Sequence, residues 1–374
     1  MTPRPADLKR VECPILFRAT PQPSTGRSSV RSKANPTSRR QGILETTHRH
    51  PTPYEHTNSR SHDHHHSGNL CARRWCRNEQ RNVLVPGNTG VMSDSVERVR
   101  RHFEDVADAE WDRLSATPRG RVSFELHRRV LAEFIEPDMR VLEVGAGPGR
   151  FTIELARLGA QVTVTDVSET QLALNERHVR DAECEDRVAA RFVLDVRETA
   201  ARVGTDAFDA IVAYGGPLSY VFDDAEVVFA QLTRVARFGG FVLASVMSLP
   251  GSVRFFLPVV LREMGEYGRS VYDHILATGD LREIGKADPN SHTCRMFRWC
   301  EIDAMVAATG CMLRTASASN WMSLGDQDAL AQLEHDDLWN WFLDWEVRLC
   351  REPGALDGGT HTIFVVERTL KGAP

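Results

Sequence analysis

Glycines and acidic residues that follow predicted strands are the residues of this sequence best suited to chemistry. Gly145, Gly147 and Gly149 occupy alternate positions in the stretch VLEVGAGPGR, residues 141–150. Glycine adopts positive φ angles easily and lets a ligand approach the backbone without meeting a Cβ atom. The helix predicted after the third glycine offers free N–H groups at its start. This turn is therefore predicted to bind a nucleotide-like ligand.

Two features of the turn argue against a dinucleotide. The dinucleotide fingerprint is G-x-G-x-x-G, and the sixth position here is Arg150 rather than glycine. Glu143 also precedes the first glycine by two residues, where its charge would repel a pyrophosphate and suit an ammonium group. A nicotinamide-dependent oxidoreductase is therefore the less favoured alternative.

Two further aspartates come at the ends of the next predicted strands. Asp166 ends QVTVTD, 21 residues after Gly145, and is placed to accept hydrogen bonds from both ribose hydroxyls. Asp195 lies near the end of ARFVLDV, where a carboxylate can accept from an exocyclic adenine amine. Asp209 begins a strand and is expected to be structural. A ligand with an amino acid, a ribose and an adenine in this order is S-adenosylmethionine.

The elements around these residues alternate between short apolar strands and amphipathic helices. Ser168 with Gln171, and Asp223 with Glu226, are predicted to cap the helices they precede, the second helix extending to Phe238. Such alternation is typical of a parallel sheet covered by helices on both faces, with the ligand beyond the carboxyl ends of the strands. The sequence thus predicts a doubly wound α/β fold. The predicted strands are RVLEV, QVTVTD, ARFVLDV, FDAIVAY, GGFVLASV, MLRTASASN and THTIFVVERT.

The successive motifs VLEVGAGPGRFT, VTVTD, LDV, FDAIVAYGGPLSYV and RVARFGGFVLASV resemble those of the class I S-adenosylmethionine-dependent methyltransferases. The resemblance covers residues 140–246 and implies a seven-stranded, mostly parallel sheet whose last strand is antiparallel. It also implies that Gly145, Ala146 and Gly147 line the methionine end and that Asp166 holds the ribose. The resemblance further implies that Val167, Asp195 and Val196 contact the adenine. Tyr214 and Gly215 are implied to lie near the sulfonium and the acceptor.

The acceptor of the methyl group is not identified by these motifs. Residues 248–296 form an insertion after the fifth predicted strand and are expected to cap the substrate site, since loops at this edge of a sheet carry function. His292 in this insertion and Tyr214 are the candidate catalytic residues, the alternative for His292 being a structural or solvated side chain. A noncatalytic S-adenosylmethionine-binding sensor or scaffold remains an alternative to an enzyme.

An aromatic stripe is predicted on a helix near the end of the chain. It is expected to be core or a dimer contact, or else a wall of the substrate site. An arginine of PRGRVSF, such as Arg121, is a further candidate, for the methionine carboxylate. The stripe consists of Leu338, Trp341, Phe342, Trp345 and Leu349.

Charge divides the chain into two parts. Residues 1–91 carry 15 Lys and Arg against 6 Asp and Glu, whereas residues 92–374 carry 31 against 45. The first part is rich in Ser, Pro, Arg and His and is predicted to be a disordered tail, or to lie upstream of a true start at Met92. Its histidine run fits no closed zinc pattern, so no metal site is predicted. The second part is predicted to be the methyltransferase domain, with a cofactor-binding core at 138–247, the cap insertion at 248–296 and a C-terminal part at 297–374.

Composition indicates the compartment and the partners. The eight cysteines show no framework spacing, and no apolar run reaches the ~20 residues of a membrane span, which favours a cytoplasmic protein. The acidic second part and the tetrapeptide YGGP at 214–217, where base-modifying relatives carry an NPPY-type motif, disfavour nucleic acid. A small-molecule acceptor, no membrane partner, and a monomer or homodimer are expected.

Overall fold

The computed structural model describes residues 94–287, 291–334 and 337–369. The predictions for residues 1–91, including the histidine run, lie outside the described residues. No helix of the described segments is long and apolar enough to cross a membrane.

A seven-stranded sheet forms the centre of the described residues. The strand order is β3-β2-β1-β4-β5-β7-β6, and β7 is antiparallel to both of its neighbours whereas the other pairs are parallel. The predicted sheet and its antiparallel last strand are confirmed. The strands are β1 (Arg140–Val144), β2 (Gln161–Asp166), β3 (Val188–Val193), β4 (Phe208–Ala213), β5 (Ala236–Met247), β6 (Met312–Ala318) and β7 (His361–Glu367).

Helices cover both faces of this sheet. They are α1 (Asp94–Asp112), α2 (Pro118–Phe134), α3 (Arg150–Arg157), α4 (Glu169–Asp181), α5 (Thr199–Val203), α6 (Pro217–Tyr220), α7 (Ala225–Val235), α8 (Leu249–Phe255), α9 (Leu257–Tyr267), α10 (Arg269–Thr278), α11 (Arg282–Ala287), α12 (Trp299–Thr309), α13 (Gln327–Leu333) and α14 (Trp339–Cys350). The helical geometry of α1 is interrupted at Ala107, which has a φ of 27°.

Alternate residues of the central strands pack into two separate hydrophobic cores, one on each face of the sheet. On β1, Val141 packs with α2, α3 and α14 on one face, whereas Leu142 and Val144 pack with α7 and α12 on the other. The central strands are apolar on both sides because each side is covered, as expected for a parallel sheet.

The insertion after β5 is helical, as predicted. Helices α8 to α11 surround a third apolar cluster that includes Tyr272, Ile275 and Met296, and α1 contributes Val99 and Phe103 to it. The cap insertion and α1 therefore meet at the same edge of the sheet, next to Tyr220 of α6.

Three predicted boundaries are wrong. Asp223 and Glu226 do not form a capping box, because α7 begins at Ala225 without a side-chain cap. The helix also ends at Val235 rather than Phe238, since residues 236–238 already belong to β5. β3 ends at Val193, so Asp195 lies two residues beyond the strand rather than within its end.

Candidate functional site

A cavity that is partly open to solvent lies at the carboxyl ends of β1, β2 and β4. The loops after these strands form its floor, and α1 covers it from above through Val96, Val99 and Phe103. All the residues predicted to bind the cofactor line this cavity except Gly149. They are Glu143, Gly145, Ala146, Gly147, Asp166, Val167, Asp195, Val196, Tyr214 and Gly215.

The three glycines of the first turn all have positive φ angles, but they serve different purposes. A Cβ on Gly145 would lie 2.6 Å from the Cγ of Pro217, and one on Gly149 would lie 3.2 Å from the Asn175 side chain. A Cβ on Gly147 would have no described atom within 4 Å, and the same is true of Gly215 after β4. Only Gly147 and Gly215 therefore open the backbone to a ligand, whereas Gly145 and Gly149 make room for neighbouring side chains.

Glu143 is buried and held by a chain of side chains beneath the glycine turn. Its carboxylate accepts a hydrogen bond from Thr152 at 2.6 Å, and Thr152 accepts one from Asn175 at 2.8 Å. Burial is the main cause that raises the pKa of Glu143, to about 8. A ligand ammonium at this position would lower that pKa and ionise the carboxyl group.

Asp166 is held by backbone amides rather than by side chains. The amide of Gly147 donates to one carboxylate oxygen at 2.9 Å and the amide of Ser168 donates to the other at 2.9 Å. Burial raises the pKa of Asp166 in spite of these donors. A carboxylate oxygen can accept more than one hydrogen bond, so both oxygens of Asp166 can also accept from the hydroxyl groups of a ligand.

Asp195 is on the cavity wall but is already engaged. Its carboxylate accepts from the backbone amide of Arg197 at 3.0 Å and forms an ion pair with the guanidinium of the same residue at 3.2 Å. Arg197 is also paired with Asp224 at 2.7 Å. An adenine amine would therefore share Asp195 with Arg197.

Tyr214, a candidate catalytic residue, follows β4 and is almost wholly buried. Its ring meets the rings of His127 and Phe151 edge-on, with centroids 4.8 and 5.1 Å away. Its hydroxyl has no hydrogen-bond partner among the described residues, and burial raises its pKa well above the ordinary value.

Gln171 links the cover of the cavity to its floor, a role that the sequence did not indicate. The hydroxyl of Ser168 accepts a hydrogen bond from the backbone amide of Gln171 at 3.2 Å, which confirms the predicted cap of α4. The Gln171 side chain does not complete a capping box but donates to the carbonyl of Phe103 in α1 at 2.7 Å. Its Oε1 atom is buried and has no partner within the described segments, so it can accept a hydrogen bond from a ligand in the cavity.

His292, the other candidate catalytic residue, lies behind the cavity wall. Its Nε2 is 2.9 Å from the hydroxyl of Tyr220, and Tyr220 lines the cavity. Burial, followed by electrostatic repulsion from His102 and Arg113, lowers the pKa of His292 well below its usual range. His292 therefore reaches a ligand only through Tyr220.

Two other predicted features do not reach the cavity. Arg121 forms an ion pair with Glu334 and does not line the cavity. The arginines on the cavity wall are Arg113, Arg150 and Arg197. The aromatic stripe is not core: Leu338, Trp341 and Trp345 are exposed and only Phe342 is buried. The buried face of α14 consists instead of Phe342, Leu343, Glu346 and Cys350.

Comparison with known proteins matches the segment that forms this site. Residues 141–240 match the sequence model of a family described as a methyltransferase domain. A ribosomal protein L11 methyltransferase of Desulfitobacterium hafniense is 26% identical over an alignment of 109 positions, and the match covers 25% of this chain and 34% of that protein. A Geobacillus protein named as a methyltransferase is 29% identical over 111 residues, which are 29% of this chain and 42% of that protein. The chain thus matches less than half the length of these curated relatives.

Among solved structures, the magnesium protoporphyrin IX methyltransferase of Synechocystis with bound S-adenosylhomocysteine is similar. It is 13% identical, with a TM-score of 0.46, and the match covers 72% of this chain and 98% of that one. Residues 141–240 therefore match a methyltransferase domain, and the seven-stranded sheet with its antiparallel β7 is the fold expected from the resemblance to the class I S-adenosylmethionine-dependent methyltransferase family. The cofactor of this family is S-adenosylmethionine.

Proposed function

We propose that the protein transfers the methyl group of S-adenosylmethionine to a small-molecule acceptor. One observation carries the proposal. Two buried carboxyl groups, those of Glu143 and Asp166, line the same cavity as Gly147 and Gly215, where a ligand can approach the backbone. A dinucleotide would place its pyrophosphate against Glu143, whereas S-adenosylmethionine offers an ammonium group there.

The residues of the cavity suit the parts of this cofactor in order. Glu143 would hold the ammonium group and Asp166 the ribose hydroxyls, with Gly145, Ala146 and Gly147 along the methionine chain. Val167 and Val196 would pack on the adenine, and Asp195 would accept from its amine. Tyr214 and Gly215 would lie near the sulfonium, which supplies an activated methyl group.

The protein's part in such a reaction is to align the acceptor and to exclude water. Holding two reactants in line contributes about 7–11 kcal/mol to lowering a barrier. The burial of Tyr214 and Tyr220, and the packing of Tyr220 against α1 and the cap insertion, support a site that shields a small acceptor from water. Residues 92–374 carry 31 basic against 45 acidic residues, which does not favour a phosphate backbone as substrate. The match to the ribosomal protein L11 methyltransferase spans 109 residues and has no bearing on the acceptor.

Turnover tests this proposal. The full chain is incubated with methyl-labelled S-adenosylmethionine and pooled small metabolites, and S-adenosylhomocysteine release is followed. Transfer of label to a small molecule is expected. Tight binding of the cofactor with no release for any pool would favour a sensor, and transfer only to protein or nucleic acid would contradict a small acceptor.

A further inference from the structure

Tyr220 and His292 form a hydrogen-bonded pair with one end in the cavity. The Tyr220 hydroxyl is 2.9 Å from Nε2 of His292, and Tyr220 is 92% buried although it lines the cavity. The His292 ring lies against the ring of His102 in α1, with centroids 4.6 Å apart. The Tyr220 ring meets Phe103 of the same helix edge-on at 5.3 Å.

The chain holds this pair firmly between three parts of the fold. Residue 220 ends α6, which follows the turn at Gly215 and Gly216. The carbonyl of Ser219 accepts from the Arg295 amide at 2.8 Å, and the Ser219 hydroxyl accepts from the Met247 amide at 3.0 Å. The segment that carries His292 is thereby fixed alongside α6 and the end of β5.

Burial keeps His292 neutral, and the titratable groups around the pair add to this effect. Burial is the largest cause of the lowered pKa of His292, followed by electrostatic repulsion from His102, Arg113 and His361. Arg113 is paired with Glu110 at 2.8 Å, and both residues line the cavity. The titratable and charged groups that face the pair from the surrounding elements are His102, Glu110, Arg113, Cys294 and His361.

We propose that Tyr220 and His292 are a proton relay for the methyl acceptor, and that the acceptor presents a hydroxyl group to the Tyr220 oxygen. This inference rests on the proposed function, because the relay acts only when a methyl donor occupies the cavity. Tyr220 is then a catalytic residue that contacts the acceptor, and His292 is a positioning residue and proton store that acts through it.

The step balances in atoms and charge. The acceptor oxygen forms a bond to the methyl carbon while the carbon–sulfur bond breaks, with its electron pair going to sulfur. The hydroxyl proton passes to the Tyr220 oxygen as the proton of Tyr220 passes to Nε2 of His292. One positive charge leaves the sulfonium and one appears on the imidazole, so the buried site keeps its net charge.

This coupling explains how a histidine that is neutral in the closed site can accept a proton. A sulfonium nearby disfavours the imidazolium, because like charges in a buried site repel. When the methyl group leaves, the repulsion is removed and protonation of His292 becomes easier at that moment. The proton is afterwards released to solvent when the cavity opens for product exchange.

The test compares His292 in two cofactor complexes and needs no acceptor. The full chain, labelled with ¹³C in its histidine rings, is titrated with acid by NMR when saturated with S-adenosylmethionine and with S-adenosylhomocysteine. His292→Gln identifies the signal by its loss. The relay predicts that His292 is protonated at a higher pH with S-adenosylhomocysteine, and that Tyr220→Phe alters its titration in both complexes. The exposed His274 of α10 is the internal control, whose signal should be the same in both.

Two results of this titration would overturn the relay. One is identical protonation of His292 in the two complexes, and the other is a titration that Tyr220→Phe leaves unchanged. If neither nucleoside binds, the proposed function itself fails and the relay fails with it, so the two failures are distinguishable.

A turnover assay provides the second arm. Phenols, aliphatic alcohols, primary amines and thiols are offered as acceptors. The relay predicts transfer to hydroxyl compounds, with kcat about 100-fold lower in Tyr220→Phe and His292→Gln at unchanged cofactor affinity. Tyr272→Phe is the matched control, since Tyr272 is a buried tyrosine of the cap insertion that bonds to Glu263 and should retain full kcat. Transfer to an amine or thiol that Tyr220→Phe does not slow would contradict the proposal.

Discussion

At the residue scale, the two buried carboxylates of the cavity are held in different ways, and their expected behaviour differs accordingly. Asp166 is fixed by two backbone amides that no side-chain substitution removes. Glu143 is fixed through the Thr152 and Asn175 side chains. Asp166 should therefore act as a rigid acceptor for the ribose, whereas Glu143 should respond to the charge of what binds beside it.

Replacing Asp166 should weaken cofactor binding without unfolding the protein. Asp166→Ala leaves the ribose hydroxyls unpaired in a buried site, which costs about 1–3 kcal/mol of binding free energy. Calorimetric titration with S-adenosylhomocysteine measures the change. Asp209→Ala is the control, because Asp209 lies at the start of β4, after Phe208, and pairs with Arg140 and Arg237 away from the cavity. Equal affinities for wild type and Asp166→Ala would remove Asp166 from the ribose.

Glu143 should make the stability of the cofactor-free protein depend on pH. Its pKa is about 8 in the folded protein against 4.5 for the ordinary side chain, so the unfolded chain binds fewer protons between these values. The free energy of unfolding should then fall as pH rises from about 5 to 8, by at most ~1.4 kcal/mol per pH unit from this one group. Urea unfolding of wild type and Glu143→Gln at several pH values measures the slope. A slope that Glu143→Gln leaves unchanged would contradict the buried, protonated carboxyl group.

At the element scale, the turn between β1 and α3 is where the cofactor should meet bare backbone. Gly147→Ala adds a methyl group on the cavity side and should lower cofactor affinity. Gly310→Ala is a matched control, because Gly310 also has a positive φ, 70° against 55°, and open space around it, but ends α12 outside the cavity. Both variants should lose similar unfolding free energy, about 1 kcal/mol or more for an alanine at positive φ. Only Gly147→Ala should bind S-adenosylhomocysteine more weakly, and equal binding by the two variants would contradict the predicted contact.

Elements with a local signal could be predicted from the sequence, and those fixed by distant contacts could not. The first and last residues of β1 and β2 were predicted correctly, because a short apolar run that ends at Gly or Asp marks a strand clearly. The Ser168 cap was also predicted, since one turn of backbone decides it. The exposure of Trp341 and Trp345 depends instead on which face of α14 meets α2 and the sheet, and helical spacing alone does not choose that face.

The candidate site shows the same division. The floor of the cavity follows from strand ends, so Glu143, Asp166 and Gly147 could be located in the sequence. The cover of the cavity could not be located in the sequence, because it depends on the hydrogen bond between Phe103 and Gln171, which are 68 positions apart. The pairing of Tyr220 with His292 likewise depends on how the cap insertion returns along α6.

At the scale of the whole molecule, the described residues contain the complete sheet and its cavity. The seven strands extend from Arg140 to Glu367, and the cavity wall begins at Val96. Deleting residues 1–91 is therefore expected to leave the melting temperature and the affinity for S-adenosylmethionine unchanged. Thermal unfolding and calorimetry of the full and shortened chains measure both quantities. A lower melting temperature of the shortened chain would show that those residues pack on the domain.

The claim that the whole account depends on is that the cavity binds S-adenosylmethionine and not a dinucleotide. Isothermal titration calorimetry of the full chain with S-adenosylmethionine, and separately with NAD, tests it most directly. We predict binding of S-adenosylmethionine with a Kd in the micromolar range, about −8 kcal/mol, and no heat from NAD. Binding of NAD alone would mean that Glu143 and the glycine turn hold a pyrophosphate, and the proposed methyl transfer would be wrong.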